Sequence, residues 1–457
     1  MNQLTEFLGA KVEAQREYFR SGATLPYKFR IEQLGRLEEA LKVWEKPLCE
    51  ALWKDLHKSY EEAVMTELSI VAGEIRDQRR HLAGWMRPHR VASPLKMFPS
   101  TTRVHSQPLG TALIMSPWNY PVQLLLNPLV GAIAAGCTAV LKTSPYVPNV
   151  AQVLVQMIGC TFDERYVTVI NGHRDVNAAL LESHFDLIFF TGSPSLGRTV
   201  MEAASRNLTP VVLELGGKSP CVVTKEANVK VAARRIAWGK TLNAGQTCIA
   251  PDYLLIHTSH KEAFVEEFRK ALEEFHGKDA RQSAHFGRMV NQKAFERVSG
   301  YLEEGTVLLG GATDPTERYI APTLLEISSD NVAIMQEEIF GPILPVITFE
   351  SEEEVLERIT THPHPLALYY FGSTKRGKEL LRHTLSGGAC LNDTIMQIVN
   401  PNAPFGGVGQ SGMGRYHGKE SFLAFSHQRT VVTTPTAIDL PLRYMPYKLF
   451  PFIKRIL

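Results

Sequence analysis

Thr111-Ala112-Leu113-Ile114-Met115 is a near-continuous apolar run of strand length, and the segments next to it in the chain decide the fold. A loop, Ser116-Pro117-Trp118-Asn119-Tyr120-Pro121, leads into a helix-like stretch over Val122–Ala135 and then a second apolar run at Ala139–Leu141. Strand, crossover helix and strand in that order make a βαβ unit. Strands without polar alternation are covered on both faces, as in a parallel sheet. The pattern continues at Tyr166–Ile170, Asp186–Phe190 and Val211–Leu215, with a helix expected over Gly197–Ala204. It resumes after Pro220. Cys221–Thr224, Tyr253–His257, Leu344–Phe349, Ala367–Phe371 and Ala389–Leu391 read as strands, and Val229–Trp238 and Lys261–Phe275 as helices. The fold class is therefore α/β. Residues 1 to about 86 read as helical, because Leu34, Leu37, Leu41 and Trp44 recur at three- and four-residue steps.

A chain of 457 residues is too long for one core and implies two or three domains. Its 44% hydrophobic and 21% charged content is that of a soluble globular protein. A net charge of +2 gives no case for a nucleic-acid partner. The six cysteines are scattered without a CxxC pair, which argues against a disulfide framework or a metal site and for a reducing, cytoplasmic setting. The first residues carry acidic groups and no long apolar run, so no signal peptide is expected, nor is a transmembrane helix.

Two pieces fit neither α/β half. Val91–His105 and Gln428–Thr434 read as exposed strands that pair with each other or across subunits. The tail, Leu440–Leu457, mixes aromatic and basic residues. Pro441, Pro446 and Pro451 break any amphipathic helix there, so packing on its own fold or a partner subunit is expected over membrane contact.

The chemistry concentrates in two segments, Leu213-Glu214-Leu215-Gly216-Gly217-Lys218 and Asn243-Ala244-Gly245-Gln246-Thr247-Cys248. One puts an acid at the end of an apolar strand, the other a cysteine in a polar loop. A thiol beside a carboxylate is what covalent acyl chemistry needs: a nucleophile, then a base to activate water. A buried inert thiol and a paired core carboxylate are the bland alternatives. Asn119 comes after the first strand of the sheet, where parallel sheets place ligands, and its amide is able to donate to an oxyanion or merely to satisfy its own turn. Gly192-Ser193-Pro194-Ser195-Leu196-Gly197 comes after a strand and opens a helix, whose N-terminus suits a pyrophosphate. Gly407-Val408-Gly409-Gln410-Ser411-Gly412 is a literal GxGxxG but lacks a preceding strand, so it reads as a loop. Gly217-Lys218-Ser219 is no P-loop, because Val212 stands where a glycine is required.

Together and in this order, Ser-Pro-Trp-Asn-Tyr-Pro (116–121), Leu-Glu-Leu-Gly-Gly-Lys-Ser-Pro (213–220), Gly-Gln-Thr-Cys (245–248), Glu-Glu-Ile-Phe-Gly-Pro (337–342) and Pro-Phe-Gly-Gly-Val-Gly (404–409) resemble the aldehyde dehydrogenase superfamily. The segments at 392–394 and 411–418 resemble its class 3 branch, which includes fatty and aromatic aldehyde dehydrogenases. The resemblance implies a Rossmann-like NAD(P)-binding domain from residues 1–86 and 108–211 and a catalytic domain over 212–395. It also implies a bridging, oligomerising element with the tail at 87–107 and 420–457. It makes Cys248 the nucleophile, Glu214 the base for deacylation and Asn119 part of the oxyanion hole. Lys142 and Glu338 would hold ribose hydroxyls, Gly192 and Ser193 the pyrophosphate, and Phe340 the nicotinamide end. Ser116, Trp118, Gly197 and Leu215 fall in the same cofactor set. Tyr120 and Met396 would line the aldehyde entrance, whose apolar character favours aliphatic or aromatic aldehydes. The implied cofactor is NAD or NADP with no metal, and the implied assembly a homodimer. Many relatives carry Glu three residues after the lysine matching Lys142; here Pro145 stands there, so both cofactors are expected to serve. An ordinary thiol is only a few per cent ionised at neutral pH, so the site is expected to lower the Cys248 pKa or to take its proton on cofactor binding. The alternatives are an acylating reductase that hands its thioester to coenzyme A, which generally lacks the acid at Glu214, and a catalytically silent relative.

Overall fold

The structure, a computed structural model, describes residues 3–362, 364–441, 444–447 and 450–454. Two mostly parallel sheets, each with one antiparallel edge strand, organise the chain. The first runs in the order Gly412–Met413, Val211–Glu214, Leu187–Thr191, Thr111–Met115, Thr138–Lys142, Val167–Ile170. All neighbours are parallel except Gly412–Met413, which lies antiparallel on the edge. Alternate residues of one strand serve two cores. Ala112 and Ile114 join the core formed with Tyr27–Leu56 and Gln123–Ala135, while Leu113 and Met115 join that of Gln3–Arg20 and Pro194–Ser205. That division is why the strand carries no polar alternation. Leu34, Leu37 and Leu41 are at most 4% exposed, as their helical spacing requires. The boundary expected at 211/212 falls inside the Val211–Glu214 strand, whose four residues all pair with Leu187–Thr191 or its flank.

The second sheet runs Thr306–Leu309, Thr323–Glu326, Ile343–Phe349, Tyr253–His257, Pro220–Val223, Ala367–Phe371, Gly388–Leu391. It too is covered on both faces. Cys221, Val223, Leu254 and Ile256 pack with Val229–Thr241 and Lys261–His276, whereas Val222, Tyr253 and Leu255 pack with Gln292–Gly300 and Glu352–Thr361. No strand was expected between His257 and Leu344, yet four short ones lie there. Thr306–Leu309 is an exposed-to-half-buried edge with a register shift, and Thr313–Asp314 and Tyr319–Ile320 have two residues each. Such pieces are too short to carry a periodicity.

The two leftover segments pair with each other within the chain. Ser426–Thr433 lies antiparallel to Thr101–Pro108 along eight residues, with His89–Val91 on the far side. In the tail, Met445, Tyr447 and Phe450 are more than half exposed, so these described residues do not make the expected packing on their own fold. Tail positions 442, 443, 448, 449 and 455–457 lie outside the described residues. Among the described residues no helix is long and apolar enough to cross a membrane.

Candidate active site

The carboxyl end of the first sheet and the loops of the second enclose a cavity of about 500 Å³. Its walls include Trp118, Asn119, Glu214, Cys248, Glu338 and Phe340. Residues far apart in the chain therefore meet in one place, as the motifs require.

Cys248 is presented by a strained turn. After the Val229–Thr241 helix, Asn243 (φ 50°), Ala244 (φ 52°) and Gly245 (φ 74°) are all left-handed. A side chain at Gly245 would meet the Gly341 carbonyl at 2.2 Å, so this position needs glycine twice over. Strain at two non-glycine residues persists only when surroundings over-determine it. Here the Asn243 N–H donates to Glu62 Oε1 (2.7 Å) and Asn243 Nδ2 to the Asn119 carbonyl (2.8 Å). Gln246 is fully buried; its Nε2 donates to the carbonyls of Asn243 and Arg288, and its Oε1 accepts the Val290 N–H (3.0 Å).

The electrostatics correct one expectation. Burial pushes the Cys248 thiol up rather than down, and the nearby Glu338 and Glu214 carboxylates add to it. The site lowers nothing at rest, which leaves proton loss coupled to ligand binding. Glu214 is 3% exposed, and neither of its oxygens has a hydrogen-bond partner among the described residues. The paired core carboxylate is therefore ruled out, and burial raises its pKa well above the usual carboxylate range. Asn119 is 2% exposed, and its Nδ2 donates to the Gln246 carbonyl (3.1 Å).

Glu338 and Glu337 part company. Glu338 turns inward against Gly216, where an added Cβ would fall 2.0 Å from its Oε2. Burial, then Asp252, pushes it up to about 8, against the Gly217 N–H and the Lys218 and Arg297 charges. Glu337 Oε1 instead accepts from the Tyr301 hydroxyl (2.6 Å). Lys218 is a staple, donating to Asp252 and to the Ile334 and Glu337 carbonyls. Phe340 is left-handed (φ 51°) and meets Trp118 edge to face at 5.3 Å between ring centres.

A dinucleotide fits the walls. Thr191 Oγ1 and both Glu214 oxygens are buried acceptors without partners, and Gly192, Ser193 and Leu215 line the same side. Gly197 lets its helix approach closely, since a Cβ there would lie 2.9 Å from Leu215. The helix end has fewer open donors than its sequence suggests. Pro194 has no N–H, Ser193 Oγ accepts the Leu196 N–H, and Gly192 N–H donates to the Glu214 carbonyl (3.0 Å). Among the described residues no group of three or more His, Cys, Asp or Glu is placed to hold a metal ion.

Five expected site residues stand back from these walls, Gly197 among them. Lys142 is 2% exposed and its Nζ donates to the Thr143 carbonyl (2.6 Å); burial lowers it to about 8 against the pull of Asp175. The Ser116 N–H donates to the Lys142 carbonyl (3.0 Å). Tyr120 is 6% exposed, its hydroxyl 2.6 Å from Thr247 Oγ1. Met396 is 45% exposed on a short turn, Met396–Ile398. Sequence reasoning missed Arg297, His364 and Gln410, which all line the cavity. Arg297 fixes the Glu338–Ile339 backbone by donating to both carbonyls (3.2 and 2.8 Å). Gln410 belongs to the GxGxxG loop. That segment is a loop as expected, but it covers Glu214: Gly412 pairs with Glu214, and the Leu215 N–H donates to the Ser411 carbonyl (3.0 Å).

Comparison with known proteins agrees with this geometry. The model of the aldehyde dehydrogenase family matches residues 5–431. The 4,4'-diaponeurosporen-aldehyde dehydrogenase of Staphylococcus aureus is 45% identical, covering 96% of each chain. The "Aldehyde dehydrogenase, dimeric NADP-preferring" of Canis lupus familiaris is 43% identical over 95% of this chain and 97% of its own. The substrate-bound structure of Staphylococcus aureus AldH superposes with a TM-score of 0.97 at 43% identity over the full length of both chains. The chain belongs to the aldehyde dehydrogenase family, whose NAD(P)-dependent members oxidise aldehydes to acids.

Proposed function

We propose that this chain oxidises an apolar aldehyde to its carboxylic acid through a thioester on Cys248. The observation that carries the reading is that Cys248 and Glu214 line one cavity while both Glu214 oxygens lack a partner. Cys248 Sγ adds to the aldehyde carbon as its S–H proton leaves to solvent, and the C=O π pair moves onto oxygen as an oxyanion. Asn119 Nδ2 keeps one hydrogen on the Gln246 carbonyl and gives the second to the oxyanion. One such donor is typically worth about 3 kcal/mol. Gly192, Ser193, Leu215, Glu338 and Phe340 would hold the dinucleotide, whose nicotinamide supplies the hydride acceptor. Glu214 then takes a proton from water, and the hydroxide equivalent cleaves the thioester. Burial holds the Glu214 carboxyl above the usual carboxylate range, and only its ionised form accepts a proton from water, so turnover is expected to rise with pH as the carboxyl ionises.

Both NAD and NADP serve, because Pro145 offers no carboxylate beside Lys142. The Canis lupus familiaris relative's name, dimeric and NADP-preferring, supports phosphate tolerance and a homodimer. The exposed Ser426–Thr433 strand is the surface we assign to that dimer, and six free thiols support a cytoplasmic setting. The test is a panel of aliphatic, aromatic and charged aldehydes with each cofactor, monitored by cofactor absorbance. 4,4'-Diaponeurosporen-aldehyde, for which the Staphylococcus aureus relative is named, belongs in the panel. Cys248→Ser is expected to abolish oxidation of every aldehyde while cofactor binding persists. Full activity in that variant overturns the reading.

A further inference from the structure

Behind the cavity lies a buried ion pair with no part in the chemistry above. Lys58 and Glu67 meet at 2.6 Å with both side chains fully buried. Such a pair is weak as a source of stability, since apolar replacements of the same volume are often neutral or stabilising. What the pair holds is more telling. Lys58 Nζ also donates to the Asn119 carbonyl (3.1 Å) and sits 4.1 Å over the Tyr120 ring. Glu67 Oε2 accepts the N–H groups of Val122 (2.8 Å) and Gln123 (3.2 Å).

The chain between Ser116 and Val122 belongs to no helix or strand. It therefore lacks a ladder to fix Asn119, and the pair grips it from behind at residues 119, 122 and 123. The same Asn119 carbonyl accepts Asn243 Nδ2, which ties it to the strained turn before Cys248. Glu67 itself sits in a π-helical turn, Val64–Leu68, a local defect often found at functional sites.

We infer that the Lys58–Glu67 pair is a positioning device that sets the Asn119 amide against Cys248, an inference that rests on the oxyanion role proposed for Asn119. The pair touches no substrate and acts only through Asn119. Its effect therefore disappears when the Asn119 amide is gone.

The experiment is a double-mutant cycle. Lys58→Met with Glu67→Leu removes both charges at similar volume, in the natural chain and in Asn119→Ala. The readouts are the single-turnover rate of NADH formation at saturating substrates, the cofactor Kd and the melting temperature. In the natural background we expect the rate to fall about tenfold to a hundredfold, because small misplacements of a reacting geometry cost about that much. The cofactor Kd is expected to move less than about twofold, because the pair does not meet the cofactor walls. In the Asn119→Ala background the same pair of substitutions is expected to cost less than about threefold more. An undiminished rate in the folded double variant overturns the inference, as does an equal loss in both backgrounds. Glu67→Gln is the second variant should the double one fail to fold. It keeps the size but removes the charge that holds Lys58 and both N–H groups, and the same outcomes decide. A full rate in Asn119→Ala alone overturns the oxyanion role and this inference with it. Loss in Asn119→Ala with no coupling overturns only this inference.

Discussion

Lys142 offers a prediction in which pH, charge and cofactor choice are tied together. Its amine is buried at the end of the Thr138–Lys142 strand, and burial lowers its pKa to about 8. A depressed amine favours folding above its unfolded pKa of 10.5, and that contribution is lost as pH falls through about 8. For binding the sign is the reverse: on the reading that the Lys142 amine leaves the Thr143 carbonyl for the cofactor ribose, the charged form, present below about 8, is the one that would attract the 2′-phosphate of NADP. A group titrating there is about 90% charged at pH 7 and about 10% charged at pH 9, so the charge-dependent part of NADP affinity drops roughly tenfold across that window. NAD has no 2′-phosphate and stays level. Hydrogen bonds to a charged group contribute about 1.5–3 kcal/mol, so Lys142→Met should weaken NADP by about tenfold to a hundredfold at pH 7 and flatten its pH dependence. Equilibrium Kd values, read by cofactor fluorescence in Cys248→Ser protein, keep turnover out of the measurement. Pro145→Glu should shift the ratio toward NAD by placing a carboxylate where the phosphate would sit. An NADP-to-NAD ratio that stays flat from pH 7 to 9, or is unchanged in Lys142→Met, refutes the reasoning.

Two further predictions concern the thiol and its turn. Gly245→Ala forces an L residue to φ 74° with its Cβ against the Gly341 carbonyl, so a loss of about 2 kcal/mol or more is expected, read as a lower melting temperature. Iodoacetamide mapped by mass spectrometry should label the exposed Cys160 but not Cys49, Cys137 or Cys221, which are buried; Cys248, whose thiol is pushed up at rest, should label slowly without cofactor and faster with it bound.

Much of the fold was legible because long apolar strands in a doubly covered sheet have few other readings. Thr111–Met115, Tyr253–His257 and Ala367–Phe371 run between the expected residues. The strands between Thr306 and Glu326 were not legible, because edge pairing supplies what their short, partly polar sequences lack. In the site, Cys248, Glu214 and Asn119 were legible from motif chemistry and meet in one cavity. Arg297, His364 and Gln410 were not, because only tertiary packing brings a helix face and two loops to the same wall. Lys142 shows the opposite limit. A position at a strand end fixes its backbone, but burial and the Thr143 carbonyl decide where its amine goes. The direction of the Cys248 shift was equally hidden, since a polar loop sequence does not reveal that the cavity buries its thiol among carboxylates.

The central claim is that Cys248 forms a thioester that Glu214 removes. Rapid mixing of Glu214→Gln protein with aldehyde and cofactor, monitored by NADH absorbance, tests it most directly. The expected result is a burst of about one NADH per active site, then turnover slowed by about a hundredfold or more, the usual cost of losing a general base. Loss of the burst together with turnover would show that Glu214 activates Cys248 instead and contradict the division of roles.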